Sequence, residues 1–418
     1  MNYIYSKVSS ENKFFGNTDP VQLSEKYGTP LYVYNENILR ERCRDLKDLI
    51  SYSNFSVNYS PKANSNLELI KIVRSEGLRV DAMSPGEIYV NMLAGYKPEE
   101  ILYISNNVSD DEFLYAIHTG VKISVDSVSQ LETFGKINPG GKVAFRLNPG
   151  VGAGHHEKVM TGGQNTKFGI EMNSIPEVKR IIEEYNLKLI GINQHIGSLF
   201  MDGKAYLQSA GNILSIAREF DDLEFIDLGG GFGIPYEKQS NQPRLDLKDL
   251  GGKLSKVIHS WVKEYGKEIE FKIEPGRYIV AESSILLGKV NAIKTNYNIK
   301  YIGTDLGFNV LIRPAMYDSH HDIEIYRKND TPSLKEEIVR IVGNICETGD
   351  IIAKDRNLPE IIENDILGVL DSGAYGYSMS SNYNNRLRPA EVLIEADGNL
   401  RLIRKRDTLD DLVRNFIL

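Results

Sequence analysis

The sequence predicts a (β/α)8 barrel followed by an antiparallel β domain, and three observations carry that expectation. Between residues 35 and 275, short apolar strand patterns alternate with longer patterns of helical period, which is the signature of parallel βαβ units. Eight such units in that span match the size of a closed barrel, although a doubly wound open sheet alternates in the same way. After Arg277 the texture changes to strand-like runs joined by turns, as in an antiparallel sheet. The 418-residue length also exceeds the roughly 250–300 residues that one core usually fills.

A first helix is expected from Asn35, as N-cap, to Ile50, with Ile38, Leu46, Leu49 and Ile50 on one face. FSVNYS (55–60) is the first strand, and NLELIKIVRSEG (66–77) is a helix stopped by Gly77. LRVDAM (78–83) precedes a helix opening at Pro85, where proline's missing N–H costs nothing. ILYIS (101–105) leads to a helix capped by Ser109 and ended by Gly120, and VKISVD (121–126) leads to one from Ser127. KVAFRLN (142–148) precedes a Gly/His-rich loop and a helix near 173–185. LKLIGINQ, LEFIDL and EIEFKI complete the eight strands, separated by helices near 203–220 and 246–265.

The expected domains are a barrel over 34–277 and a β domain from 1–33 with 278–418. The strand-like TPLYVY (29–34) is placed to pair into the β domain's sheet. Within the β domain, AEVLIEADGNLRLIRKRD (390–407) reads as a hairpin around Asp397-Gly398.

Composition narrows the function. With 49 Lys+Arg against 57 Asp+Glu, the net charge of −8 lacks the basic surplus of a nucleic-acid or anionic-membrane binder. No apolar run approaches a membrane span, and the first residues carry no apolar signal region. Two cysteines, Cys43 and Cys346, cannot build a disulfide framework and suit a reducing, cytoplasmic compartment.

In a barrel the active site lies at the carboxyl ends of the strands, where unusual polar residues fall one after another. Lys62 follows the first strand, Asp81 ends the second and Arg146 the fifth. His195 follows the sixth, the run Gly229-Gly230-Gly231-Phe232-Gly233 the seventh, and Glu274-Pro275-Gly276-Arg277 the eighth. A lysine at the barrel mouth can lose its proton and form a Schiff base. Glycines there bring backbone N–H groups to an anion, with Ser198 as a further donor. Glu274 is placed to keep a pyridine nitrogen protonated, Arg277 to meet an anion, and the flat ring of His195 to stack on a planar cofactor. These are the needs of pyridoxal phosphate (PLP). His155-His156 lack the accompanying Cys or carboxylate spacing of a metal site and are read as part of a loop at the barrel mouth; no metal is expected.

The order of motifs resembles the alanine-racemase-type family of PLP enzymes, in its decarboxylase branch. YSPKAN (59–64), DAMSPGE (81–87), FRLNPGVGAGHH (145–156), TGG (161–163), KFGI (167–170), HIGS (195–198), DLGGGFG (227–233) and EPGR (274–277) carry it in the barrel. RPAMY (313–317), CETGD (346–350) and GAYGYSMSSNYNNRLRPAEVL (373–393) continue it to the C-terminal part. Ser60 and Thr348 depart from the family's commoner alanine and serine. The resemblance implies that Lys62 is the PLP lysine and that Gly230, Gly231 and Ser198 hold phosphate. It further implies that His195 stacks on the ring, Glu274 faces its nitrogen, and Asp81, Arg146, Gly276, Arg277 and Tyr375 complete the cofactor site. It also implies a homodimer whose sites take residues from the partner's β domain.

Substrate choice follows electrostatics. Arg313 and Tyr317 match positions that hold a distal carboxylate in the resemblance, with Arg277 and Tyr375 also on the substrate side, and Glu347 can take a distal ammonium. Arginine with glutamate demands a zwitterionic distal end, which meso-2,6-diaminopimelate has and lysine, presented as substrate, lacks. The expected reaction is its decarboxylation to L-lysine, with Cys346 as the acid that protonates the carbanion. Carboxynorspermidine and D-lysine/D-ornithine are the alternative substrates.

Overall fold

The computed structural model describes residues 3–152, 162–163, 166–328 and 335–417. It divides into two compact units: Arg40–Ile234 with Arg244–Ile279, and Met1–Leu39 with Pro235–Pro243 and Val280–Leu418.

In the first unit, eight parallel strands close on themselves. They are Phe55–Tyr59, Arg79–Ala82, Ile101–Ile104, Lys122–Val125, Lys142–Asn148, Lys188–Asn193, Phe225–Asp227 and Glu270–Ile273. Each pairs with its sequence neighbours, and Phe271 opposite Phe55 joins the eighth to the first. The open-sheet alternative is thereby excluded. A two-residue strand, Ile170–Glu171, adds to the fifth barrel strand through Leu147 and Asn148.

The surrounding helices start where the capping residues say they should. Asn35 Oδ1 accepts from the Ile38 N–H at 3.0 Å, Asn66 from Glu68, Ser84 from Glu87 and Ser127 from Gln130. Ser109 forms a reciprocal box with Glu112, and the same helix ends at left-handed Gly120. Such caps satisfy N–H groups that the helix itself cannot. The first helix is shorter than expected, Glu36–Lys47; Leu49 and Ile50 are buried from the turn beyond it. Inside the barrel, Gly191 makes room for Phe225, whose ring atoms would lie 2.4 Å from any Cβ there.

The second unit is built on the long strand Ser284–Asn296, which pairs antiparallel with Ile299–Thr304, Ile366–Val369 and Leu31–Asn35. Leu31–Asn35 is the expected TPLYVY strand, and it lies parallel to Ala390–Ile394. Ala390–Ile394 and Leu400–Arg404 form the hairpin, with Gly398 at φ +88° in its turn. Three strands have no counterpart in the sequence reading: Tyr3–Tyr5, Ile323–Lys328 and Ile351–Pro359. The segment Pro235–Pro243 also belongs to this unit, fastened by Lys238, whose Nζ lies 2.8 Å from Glu282 and 2.5 Å from Asp371. RPAMY is a short helix, Arg313–Tyr317.

Candidate active site

The barrel unit brings Lys62, Asp81, Arg146, His195 and Glu274 into one electrostatic neighbourhood. The charge of Lys62 acts on Asp81, His195 and Glu274 alike, and that of Arg146 on His195. Asp81 is fully enclosed; its Oδ2 accepts from the Ser60 hydroxyl, while Oδ1 has no hydrogen-bond partner. Ser60 also ties the lysine loop to the eighth strand's end, its N–H donating to Pro275 O at 3.2 Å. Gly276 packs against the same loop, where a Cβ would sit 2.9 Å from Ala63 Cβ.

The glycine run passes between the ends of the sixth and eighth strands. A Cβ on Gly229 would lie 2.1 Å from Gln194 O, and one on Gly230 would lie 1.9 Å from Glu274 O. Gly229 and Gly231 have φ of +76° and +108°, a region that glycine enters without strain. The Gly230 N–H donates to His195 Nδ1 at 3.1 Å. That bond places the imidazole's proton on Nε2 and fixes the ring's orientation, so Gly230 serves the histidine directly. Burial, followed by the charges of Lys62 and Arg146, holds His195 well below its ordinary range, so the ring is neutral.

Arg277 is buried and donates to Ser198 Oγ, at 2.9 Å from Nη2 and 3.3 Å from Nε. Arg146, also buried, lies 3.7 Å from Asp126 and 4.5 Å from the Phe168 ring centre. Two carboxylates here escaped the sequence reading. Asp126 directly follows the fourth strand, and Asp227 ends the seventh and accepts from the Gly229 N–H at 2.8 Å. An aspartate at the carboxyl end of a barrel strand, as at Asp81, was the available signal.

Glu274 is buried, no N–H or hydroxyl group donates to its Oε1, and its hydrogen-bonding neighbour is a second carboxyl, Asp227. Burial, then the nearby Asp227 and Asp81, push its carboxyl well above the usual range, and Lys62 opposes them. A group bringing a cationic N–H would supply the missing bond and relieve the like-charge repulsion. A pyridinium nitrogen is such a group, so these residues fit PLP. A neutral ring, an amine and an Arg–Ser pair suited to an anion stand in the same unit.

The remaining candidates lie in the β unit. Arg313 and Tyr317 share the short helix. Cys346 is exposed, and Asn384 donates to its Sγ at 3.1 Å. Glu347 accepts from the Tyr383 hydroxyl at 2.6 Å. Tyr375 is held at φ +56°, an unusual conformation for a bulky side chain. His155 and His156 lie outside the described residues. Among the described residues no group of three or more His, Cys, Asp or Glu is arranged to hold a metal ion, and no helix is long and apolar enough to cross a membrane.

Residues 36–281 match the family of the pyridoxal-dependent decarboxylases, over its pyridoxal-binding domain. The chain belongs to that family, and its cofactor is pyridoxal 5′-phosphate. Within it, the chain is 45% identical over 409 residues to the diaminopimelate decarboxylase of Methanothermobacter thermautotrophicus, covering 96% of this chain and 94% of that protein. The diaminopimelate decarboxylase of Escherichia coli K12 is 34% identical over 407 residues, covering 94% and 95% respectively. The crystal structure of the Helicobacter pylori diaminopimelate decarboxylase complexed with L-lysine superposes with a TM-score of 0.86. It is 29% identical, and the match covers 94% of this chain and 98% of that one.

Proposed function

We propose that this enzyme decarboxylates meso-2,6-diaminopimelate to L-lysine and CO2. Near-full-length similarity to diaminopimelate decarboxylases supports the reaction. The observation that carries the chemistry is the buried Glu274 carboxyl, open at Oε1, in one neighbourhood with Lys62 and a neutral His195.

When bound, PLP supplies an electron sink for the pair left behind as the carboxyl group departs. Lys62 would hold the cofactor covalently through its Nζ. Glu274 keeps the ring nitrogen protonated, and His195 presents a flat uncharged face to the ring. Arg277 with Ser198 and the backbone around Gly231 meet the phosphate. Asp81, itself braced by Ser60, holds the charge of Lys62.

Cys346 gives a proton to the carbon that lost CO2, and its thiolate recovers one from solvent. Arg313 and Tyr317 take the distal carboxylate and Glu347 the distal ammonium. An ornithine or arginine side chain ends in positive charge alone, and Arg313 repels it. Tyr375 contacts cofactor and substrate. We further propose a cytoplasmic homodimer in which the β unit of one protomer serves its partner's site.

The test is CO2 release from meso-diaminopimelate, L-lysine, L-ornithine, L-arginine and carboxynorspermidine. Turnover confined to the first supports the assignment, and preference for any other replaces it.

A further inference from the structure

We propose that His321 and Tyr236 are positioning residues that fix the Arg313 guanidinium for the substrate's distal carboxylate. The proposal rests on the reading of Arg313 given above.

His321 has no choice of tautomer. Its Nδ1 lies 2.7 Å from Leu370 O, and a carbonyl oxygen only accepts, so Nδ1 carries the hydrogen. Its Nε2 lies 2.7 Å from Arg313 Nη1, and a guanidinium only donates. Nε2 must therefore present its lone pair, and the neutral Nδ1–H form is the one that satisfies both contacts. The ring is fully buried, so either bond would be costly to break.

Tyr236 supplies the second wall. Its ring centre is 4.5 Å from Arg313 Cζ and 5.2 Å from the His321 ring, at 77° to it. A guanidinium over an aromatic face gains cation–π attraction, more so when desolvated. Arg313 Nη2 also donates to Ser319 Oγ at 3.4 Å. His321, Ser319 and Tyr236 thus hold the guanidinium by two of its nitrogens and one face. The wall is itself braced. Tyr236 lies in Pro235–Pro243, where Lys238 is held by Glu282 and Asp371, and the Gln239 N–H donates to Asp322, the neighbour of His321. A donor fork held in advance loses less freedom when its ligand arrives.

Two substitutions separate this role from plain structural support. His321→Asn keeps a donor for Leu370 O and removes the acceptor facing Arg313. His321→Gln places an amide oxygen near the lost Nε2. In the holoenzyme, His321→Asn is expected to raise KM for meso-diaminopimelate about tenfold with kcat little changed, the pattern of a lost remote contact. His321→Gln is expected to retain the parent KM. L-Lysine, the product, keeps the carboxylate that was distal in the substrate. Its dissociation constant, read by calorimetry, is therefore expected to rise about tenfold in His321→Asn as well. Tyr236→Leu removes the other wall and is expected to move both values in the same direction, which covers the case in which His321→Asn does not fold.

Unchanged KM and lysine affinity in these variants, with both weakened in Arg313→Met, would overturn the positioning role. So would equal loss of kcat and of bound cofactor in His321→Asn and His321→Gln. Unchanged values in Arg313→Met would instead overturn the reading of Arg313 itself.

Discussion

Asn384 grips Cys346 at two points: its Nδ2 lies 3.1 Å from Sγ, and its Oδ1 accepts from the Cys346 N–H at 3.0 Å. Asn384 makes this bridge from a left-handed backbone conformation, φ 56°. The thiol is thus oriented by an amide that donates to sulfur. As general acid, Cys346 is expected to contribute about 10²–10⁴ in rate. Cys346→Ala should lower kcat by that order and leave the visible absorbance of bound PLP intact. Stopped-flow absorbance beside steady-state turnover checks both, and an unchanged kcat reassigns the acid.

Glu274 gives a prediction in stability and activity together. Burial raises its folded-state pKa above the unfolded value, near 4.3, and so do Asp227 and Asp81. Its contribution to stability is therefore fully present below that unfolded value and is lost as pH rises through the folded one. In cofactor-free protein, Glu274→Gln should gain in Tm over the parent as pH rises from about 4 to 8. With PLP the same variant should lose most of its kcat, because an amide cannot hold the ring nitrogen's proton. Thermal unfolding across pH, with and without cofactor, reads both effects.

His195 is neutral for reasons of place. Its Nδ1 is engaged by the Gly230 N–H, and burial with two nearby cations keeps it unprotonated. His195→Phe should therefore retain PLP better than His195→Ala, and should leave the shape of the kcat profile between about pH 6 and 8 unchanged, since the ordinary imidazole value is about 6.5. Equilibrium dialysis of cofactor and a pH–rate profile check the pair.

Gly230 has no room for a side chain. A Cβ 1.9 Å from Glu274 O forces the seventh loop and the eighth strand's end apart. Gly230→Ala should cost about 1–3 kcal/mol of stability, as overpacking does. It should also weaken PLP binding, because His195 and Glu274 are moved together. Denaturant unfolding and cofactor titration give the two numbers.

The barrel was legible in sequence because apolar period and capping residues agree along it, as at Asn35, Asn66, Ser84, Ser109 and Ser127. The β unit was less so. Ile323–Lys328 carries Glu324 facing inward, where Oε1 accepts from the Val8 and Ser9 N–H groups and Oε2 from Tyr326. A carboxylate satisfied by the distant N-terminal segment lies inward here, so Ile323, Glu324 and Ile325 are all buried and the usual rule that polar residues face water fails. Ile351–Pro359 is interrupted by Asp355 at φ 50° and shifts register against its neighbour. In the site, strand-end position pointed to Lys62, His195 and Glu274. It did not reveal that Gly230 orients His195, or that Pro235–Pro243 leaves the barrel unit; both depend on contacts between segments far apart in the chain.

Lys62 is the amine expected to anchor the cofactor. Borohydride reduction of the PLP-loaded enzyme, followed by proteolysis and mass spectrometry, tests this directly. The cofactor's mass is expected on the peptide containing Lys62 and is expected to be absent after Lys62→Ala. Stoichiometric label on a different lysine, or full turnover in Lys62→Ala, would contradict it.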